Sequence, residues 1–526
     1  MKKTLLFMVA FFALSMISNA QWNEQASGFT TASRGIKYMN VVDSSIVWAT
    51  AYDGVTPTNY IQEFTKTSNG GALWTPGVIN GCSGMEPAMI FAISATKAYV
   101  PMYRQTGSNP QGVYVTTNGG TTWTRQTTAL FTNASSFPDC IHFFDANTGW
   151  VLGDPINGDF EMYTTTDGGT TWTAVPGSQI PNPVSGEFGV VGYYSAVHDT
   201  IWYGTNKGRI YKSVDQGHNW TVAAIPVTGW NAKYVDVRFK DGTNGIAMDK
   251  SATTTGALVE SHDGGTTWTA ITATGNVFTN DFCYLPGTPD TYVTTGAATG
   301  FTGVTYSFDG GHTWTDMAAT IGTQFLATRW YNSSIGWAGG FNTDATTGGM
   351  YRWVGGPLGP PLSNFSSADT LLPFGGTATF TNESTGGLTY LWTFQDGSPA
   401  TSTLQTPPTI TFLTPGAKNI TLAVTNDYGT NTLTKTGYIH VGGVGVNELN
   451  PNAVSVFPNP VKDWMTVQAT ATIKSIQLNN IAGQLLINQT VNAKTITVNT
   501  SSLSAGVYNL EVILDNGTIN KKIVIQ

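Results

Sequence analysis

Charge, cysteine and helical patterning are all scarce in this sequence. Only 11% of its 526 residues are Asp, Glu, Lys or Arg, the net charge is −8, and the basic residues form no cluster. That balance gives no electrostatic footprint for nucleic acid, which is not expected as a partner. Three cysteines, Cys82, Cys140 and Cys283, are too few and odd in number to make a disulfide framework, so isolated buried thiols are expected. His142, His198, His218, His262, His312 and His440 show no metal-ligand spacing. No metal, structural zinc included, and no cofactor is therefore expected. Past the N-terminus no amphipathic helical pattern and no apolar run of roughly eighteen residues occurs, so an integral membrane protein is not expected.

The first twenty residues carry the one long apolar run. Lys2 and Lys3 precede the stretch from Thr4 to Ile17, and Ser18-Asn19-Ala20 offers a small-residue cleavage site. This is the pattern of a secretory signal, with a mature chain expected to begin at Gln21.

What is abundant is glycine, 60 residues, together with Thr, Ser and Asn, a composition suited to short strands and turns. One motif recurs six times: "TSNGGALW" from Thr67, "TTNGGTTW" from Thr116, "TTDGGTTW" from Thr165, "SVDQGHNW" from Ser213, "SHDGGTTW" from Ser261 and "SFDGGHTW" from Ser307. The intervals are 49, 49, 48, 48 and 46 residues. A period of about 40–50 points to a propeller or solenoid in which each repeat is one small sheet. Apolar runs around each copy, such as "IHFFDANTGWVLG" (141–153), predict four strands per repeat.

The motif explains itself mechanically. The Asp or Asn oxygen can accept backbone N–H groups of its own turn. A glycine such as Gly169 can take positive φ, and the Trp can bury its ring beside a neighbouring blade. Asn69, Trp74, Asn118, Trp123, Asp167, Trp172, Asp215, Trp220, Asp263, Trp268, Asp309 and Trp314 are accordingly expected to be structural. The pattern S/T-x-D/N-x-G-x-x-W resembles the Asp-box of sialidase-like (BNR-repeat) propellers. The whole repeat region resembles single propellers related to the photosystem II stability/assembly factor. That resemblance implies a ligand face remote from the Asp-boxes.

Residues 21–356 have room for seven repeats, but the seventh, "FLATRWYNSSIGWAGG…GGMYRWVGG", stops before its Asp-box. "QWNEQASGF" from Gln21 resembles the strand after the motif, with Trp22 in the tryptophan position. Residues 21–25 are expected to form the outer strand of the last blade and close the ring.

A linker at 357–363, within the Pro/Gly-rich "GGPLGPPLS" (355–363), leads to alternating segments over 364–442 that predict a small antiparallel sandwich. "YLWTFQDG" and "TFLTPGAKNITLAVTNDYG" resemble the PKD domain, although Gln395 replaces a usual Gly and Ala417/Lys418 lie where a Tyr is usual. Trp392 is expected in the core. After a second linker at 443–452, residues 453–526 predict one more sandwich. Pro458-Asn459-Pro460, Gly483, Leu503 to Tyr508 and the terminal "KKIVIQ" resemble the type A C-terminal sorting domain of the type IX secretion system. The resemblance implies the type IX machinery as partner and removal of this domain during export. The product would be released or anchored on the outer-membrane surface.

The expected fold is thus all-β, a seven-bladed β-propeller followed by two small β-sandwich domains. Its activity is less legible. A sialidase resemblance would bring an Arg triad, but the family's Arg-Ile-Pro signature is missing; the nearest string is Arg209-Ile210-Tyr211. One acidic constellation stands out: Asp154 and Asp159 in "GDPINGDFE", and Glu187 in "SGEFGVV". Near a channel mouth such carboxylates could act as acid and base or hold a cation; turn capping and a solvated rim are the other reading. Two functions stay open, besides an assembly or chaperone-like role that only the analogy with the photosystem factor suggests. One is a secreted or surface binding protein, with a glycan or surface polymer as ligand. The other is a glycoside hydrolase or lyase using those carboxylates.

Overall fold

The computed structural model describes residues 21–225, 234–252, 255–317, 320, 322–442, 451–515 and 517–526. The expected signal segment and residues 443–450 of the second linker lie outside the described residues. The chain is all-β, with helix among the described residues confined to short 3-10 turns such as Gly177–Gln179.

The described residues between Trp22 and Trp353 form antiparallel four-stranded meanders, each a blade. Blade 3, for example, runs Pro138–Phe143, Gly149–Ile156, Asp159–Thr165 and Thr173–Ala174. Its first two strands are buried on both faces, which explains their unbroken apolar runs, whereas the short outer strand is exposed. The innermost strands begin at Arg34, Phe91, Pro138, Gly189, Val235, Asp281 and Ala327. Each contacts the next, and the strand from Ala327 returns to the one from Arg34, so the ring closes on itself.

Closure uses both ends of the ring sequence. Trp22–Ala26 pairs antiparallel with Thr347–Trp353, in the register Trp22↔Trp353 to Ala26↔Gly349. Trp22 is buried against Trp353, Trp330 and Phe325, with ring centroids 5.4, 5.6 and 5.9 Å away, and its N–H points at Met317 Sδ. A single pairing, Gly35↔Phe341, also joins the last blade to the first.

The six Asp-boxes share one hydrogen-bond pattern. In blade 3 the Thr165 hydroxyl donates to Asp167 Oδ1 (2.9 Å) and accepts the Gly169 N–H (3.0 Å), while Asp167 Oδ1 accepts the Thr171 N–H (2.8 Å). The Gly168 N–H reaches across to the carbonyl of Asn147, in the turn between the blade's first two strands. Gly168 and Gly169 have φ of 69° and 82°, which a side chain would resist; Gln216 holds the equivalent position in blade 4 at 61°. The tryptophans pack on the preceding blade, as Trp220 does on Trp150 (5.3 Å) and Trp123 on Phe64 (5.6 Å). Trp220, Trp268 and Trp314 donate to the carbonyls of Gly217, Gly265 and Gly311. Trp123 and Trp172 find no acceptor among the described residues. Hydrogen bonds from the Thr267 hydroxyl and then from its backbone N–H hold the Asp263 carboxyl down at about 2.

Beyond the ring, Phe365, Phe380, Trp392 and Phe394 centre the core of a sandwich built on Thr389–Phe394, Gly416–Asn426 and Gly429–Val441. Lys418 is buried there, its ammonium donating to Asp396 (2.8 Å), Thr414 and the Pro415 carbonyl. The sandwich leans on blade 6: Tyr428 packs on Phe308 of the last Asp-box (5.1 Å), and the Thr385 hydroxyl donates to the Gly287 carbonyl. Both contacts lie at the Asp-box end of the ring, leaving the other end uncovered by it. The C-terminal unit wraps five strands, Val454–Phe457 to Gly517–Ile525, around an aliphatic core that includes Ile476, Leu478 and Leu510.

Candidate binding site at the channel mouth

Inner strands run toward the Asp-box end, so residues early in them face the opposite mouth. The acidic constellation lies on that side but does not assemble there. Glu187 is buried, its side chain fully inaccessible; it accepts from Arg209 (2.6 Å), the Thr205 hydroxyl (2.7 Å) and the Val184 N–H (2.9 Å). Asp154 Oδ1 accepts the Gly189 N–H at 3.1 Å, and its neighbour is Asp139 rather than Glu187. Burial first, then the Asp154 charge, push the Asp139 carboxyl well up; burial lifts Asp154 to about 6. Asp159 sits at the hairpin, its carboxyl against Gly177. The three candidates are therefore not channel-mouth carboxylates: none lines the channel cavities. The physical reason is that strand ends between blades 3 and 4 are packed, and their carboxylates are occupied by each other, by backbone or by Arg209.

The channel is divided at a waist. In blade 4 the inner strand Gly189–Val197 slips register between Gly189 and Tyr194, a bulge that turns Gly192 to φ 72° and brings its Cα against the Tyr38 ring. Tyr38, Gly192 and Arg329 line cavities on both sides. Toward the Asp-boxes lies a chamber of about 310 Å³ that includes His142, Tyr194 and Trp330. Burial pushes His142 down to about 3, so it stays neutral.

On the other side a chamber of about 190 Å³ holds Lys37, Lys250, Asp281 and Arg329, and opens into a groove of about 500 Å³. The groove is lined by Tyr52, Tyr193 and Phe341, with the amides Asn280 and Gln324. Its floor is an ion network built from three adjacent blades. Arg238 Nη2 donates to Asp236 Oδ2 (3.2 Å), and Nη1 lies 2.5 Å from Oδ1 off the line of a hydrogen bond. Lys250 Nζ lies 3.5 Å from Asp236 and donates to the Asn280 carbonyl (2.9 Å). Arg329 Nη1 reaches Asp281 Oδ2 at 2.5 Å. The Lys250 ammonium also sits 4.2 Å from the centre of the Tyr193 ring. Burial opposes its charge, but Tyr193, Asp236 and Asp281 outweigh this and raise the Lys250 pKa. Burial likewise opposes the charge of Asp281, yet Arg329, Lys250 and Arg238 hold it below the ordinary range. Removing one member would strand a buried charge, which makes the network rigid. Among the described residues no cluster of three or more His, Cys, Asp or Glu is arranged to hold a metal.

Sequence reasoning passed over Lys250, Asp236, Asp281 and Tyr193. The one local signal was "GVVGYYS" (189–195), a glycine inside an inner-strand pattern, which marks a bulge.

Comparison with known proteins agrees with this organisation. Residues 106–229 match the model of the photosynthesis system II assembly factor YCF48. Residues 364–438 match the PKD domain, and 455–526 the secretion system C-terminal sorting domain. The chain is thus an all-β protein with a YCF48-like BNR propeller, a PKD domain and a sorting tail that indicates type IX export to the cell surface or extracellular space. No curated protein matches. Among solved structures, YCF48 bound to D1 peptide is similar at 16% identity and TM-score 0.46, covering 64% of this chain and 98% of the other. YCF48 from Cyanidioschyzon merolae gives 14% and 0.46, covering 63% and 98%. An ancestral GH74 enzyme gives 12% and 0.42, covering 95% of this chain and 63% of its own. No helix of the described residues is long and apolar enough to cross a membrane.

Proposed function

We propose that the chain is an exported recognition protein that holds an extracellular glycan at the channel mouth away from its Asp-boxes. In this reading, residues 21–356 form the recognition unit, 364–442 a support seated on the Asp-box end, and 453–526 the export address. The observation that carries it is the lining of the groove. Tyr52, Tyr193 and Phe341 supply flat apolar faces, while Asn280 and Gln324 supply donors and acceptors suited to hydroxyl groups. The one carboxylate among the described lining residues, Asp281, is bound by Arg329 and the Thr328 N–H, which leaves it poorly suited to acid–base work.

The test is a polysaccharide panel offered to the purified full chain, measuring retention and new reducing ends together. Retention without new ends, abolished by Tyr193→Ala at unchanged melting temperature, is the expected result. New reducing ends, or retention that ignores Tyr193→Ala, would refute the reading.

A further inference from the structure

The inner chamber says what kind of glycan. Three cations from three blades converge on it: Lys37 of blade 1, Lys250 of blade 5 and Arg329 of blade 7. The one carboxylate among its described lining residues is Asp281. Counting the groups immediately behind the wall, Arg238 is added on one side and Asp236 and Glu86 on the other, which leaves the cluster one positive charge in excess. The pairing is also incomplete in donor terms. Arg329 spends Nη1 on Asp281 and on the Thr328 carbonyl. Its Nε and Nη2 make no hydrogen bond to the described residues, although the side chain lines the chambers on both sides of the waist. Lys250 makes one short hydrogen bond, to the Asn280 carbonyl; its contact with Asp236 is long, and its remaining neighbour is the Tyr193 side chain. A guanidinium edge and an ammonium facing a low-dielectric chamber of about 190 Å³ favour an anionic group of a few atoms. The adjoining groove, with its rings and amides, is shaped for the uncharged body to which that group is attached.

From this we infer that the chamber seats the acidic group, carboxylate or sulfate ester, of an acidic polysaccharide whose sugar rings lie along Tyr52, Tyr193 and Phe341. The inference rests on the glycan reading above. Arg329 and Lys250 hold the anion from the wall, and Lys37, a lining residue whose ammonium is bound by Glu86, adds its charge from blade 1. Tyr193 has a double role, since it stacks on the sugar and holds the Lys250 ammonium in place through its ring.

The experiment measures binding of the full chain to polygalacturonate, dextran sulfate and plain dextran by titration calorimetry, at low and high NaCl. Lys250→Met and Lys37→Gln are compared with the unaltered protein, with melting temperature as a folding check. Expected is binding to at least one polyanion about tenfold or more tighter than to dextran, weakened by salt and weakened about tenfold by each substitution. Preference for polygalacturonate assigns the group as carboxylate, and preference for dextran sulfate as sulfate ester. Should Lys250→Met unfold, the salt series on the unaltered protein still separates an anion seat from neutral sugar binding. Dextran bound as tightly as the polyanions, without salt dependence, would overturn the anion seat and leave the glycan reading standing. Binding of none of the three polymers would overturn the anion seat, and only retention of other glycans in the wider panel would spare the broader reading.

Discussion

Ring closure by Trp22 can be tested through the energy of one side chain. Trp22→Ala removes a buried indole that touches Trp330, Trp353 and Phe325 from one strand register. Truncating a buried Trp to Ala costs about 3–5 kcal/mol, most of it lost burial and the cavity left behind. The edge contacts with Trp330 and Trp353 belong near the upper end of that range, because tilted aromatic pairs add about 0.5–1.5 kcal/mol beyond area. For a ring of this size that corresponds to a fall of roughly 4–7 °C in melting temperature. Differential scanning calorimetry of the full chain should show the shift in the propeller transition. Asn23→Ala, one residue along the same strand but exposed, should move the midpoint by roughly 1 °C or less. Equal, small shifts for the two variants would refute the account, because the strand would then be held by backbone pairing alone.

Asp139 and Asp154 both have folded pKa values above the unfolded one, so the stability they contribute is present below the unfolded carboxylate range. It is lost as pH rises through about 6 and beyond. Asp139→Asn should therefore raise the melting temperature at pH 8 more than at pH 5; the reverse order in thermal scans would contradict it. Glu187→Gln should destabilise by about 3 kcal/mol, since Arg209 is left without its buried partner, and chemical denaturation would measure it. Gly169→Ala should cost more than about 1 kcal/mol in the same assay, because φ is 82° and the new Cβ would lie 3.1 Å from Tyr99 Cε1.

The Asp-boxes were legible because their turn chemistry lies within about eight residues, although their tryptophans pack on the preceding blade. Thr165, Asp167 and Gly169 bond one another or the residues of their own turn, and the even spacing of the six copies marks the repeat. Trp22 was legible through absence, since the last blade has three strands and the first residues of the ring carry the missing one. The channel was not legible, for the opposite reason. Lys37, Lys250, Asp281 and Arg329 come from four blades, and no spacing in the sequence relates residue 37 to residue 329. Asp154 and Glu187 misled for a similar cause. Each looked available in its own loop, but the groups beside them, Asp139 and Arg209, lie on other strands of the same blade, and the pairing of those strands brings them alongside. Arg209 drew notice for a signature it does not complete, while its actual work is to neutralise Glu187.

The central claim is that recognition occurs at the mouth remote from the Asp-boxes. Hydrogen exchange of the full chain, with and without the polysaccharide that it retains best, measures this directly. Protection is expected at 189–197, 278–282 and 324–330, with exchange at the Asp-box turns unchanged. Protection centred on the Asp-box turns, with none around Tyr193 and Arg329, would contradict it.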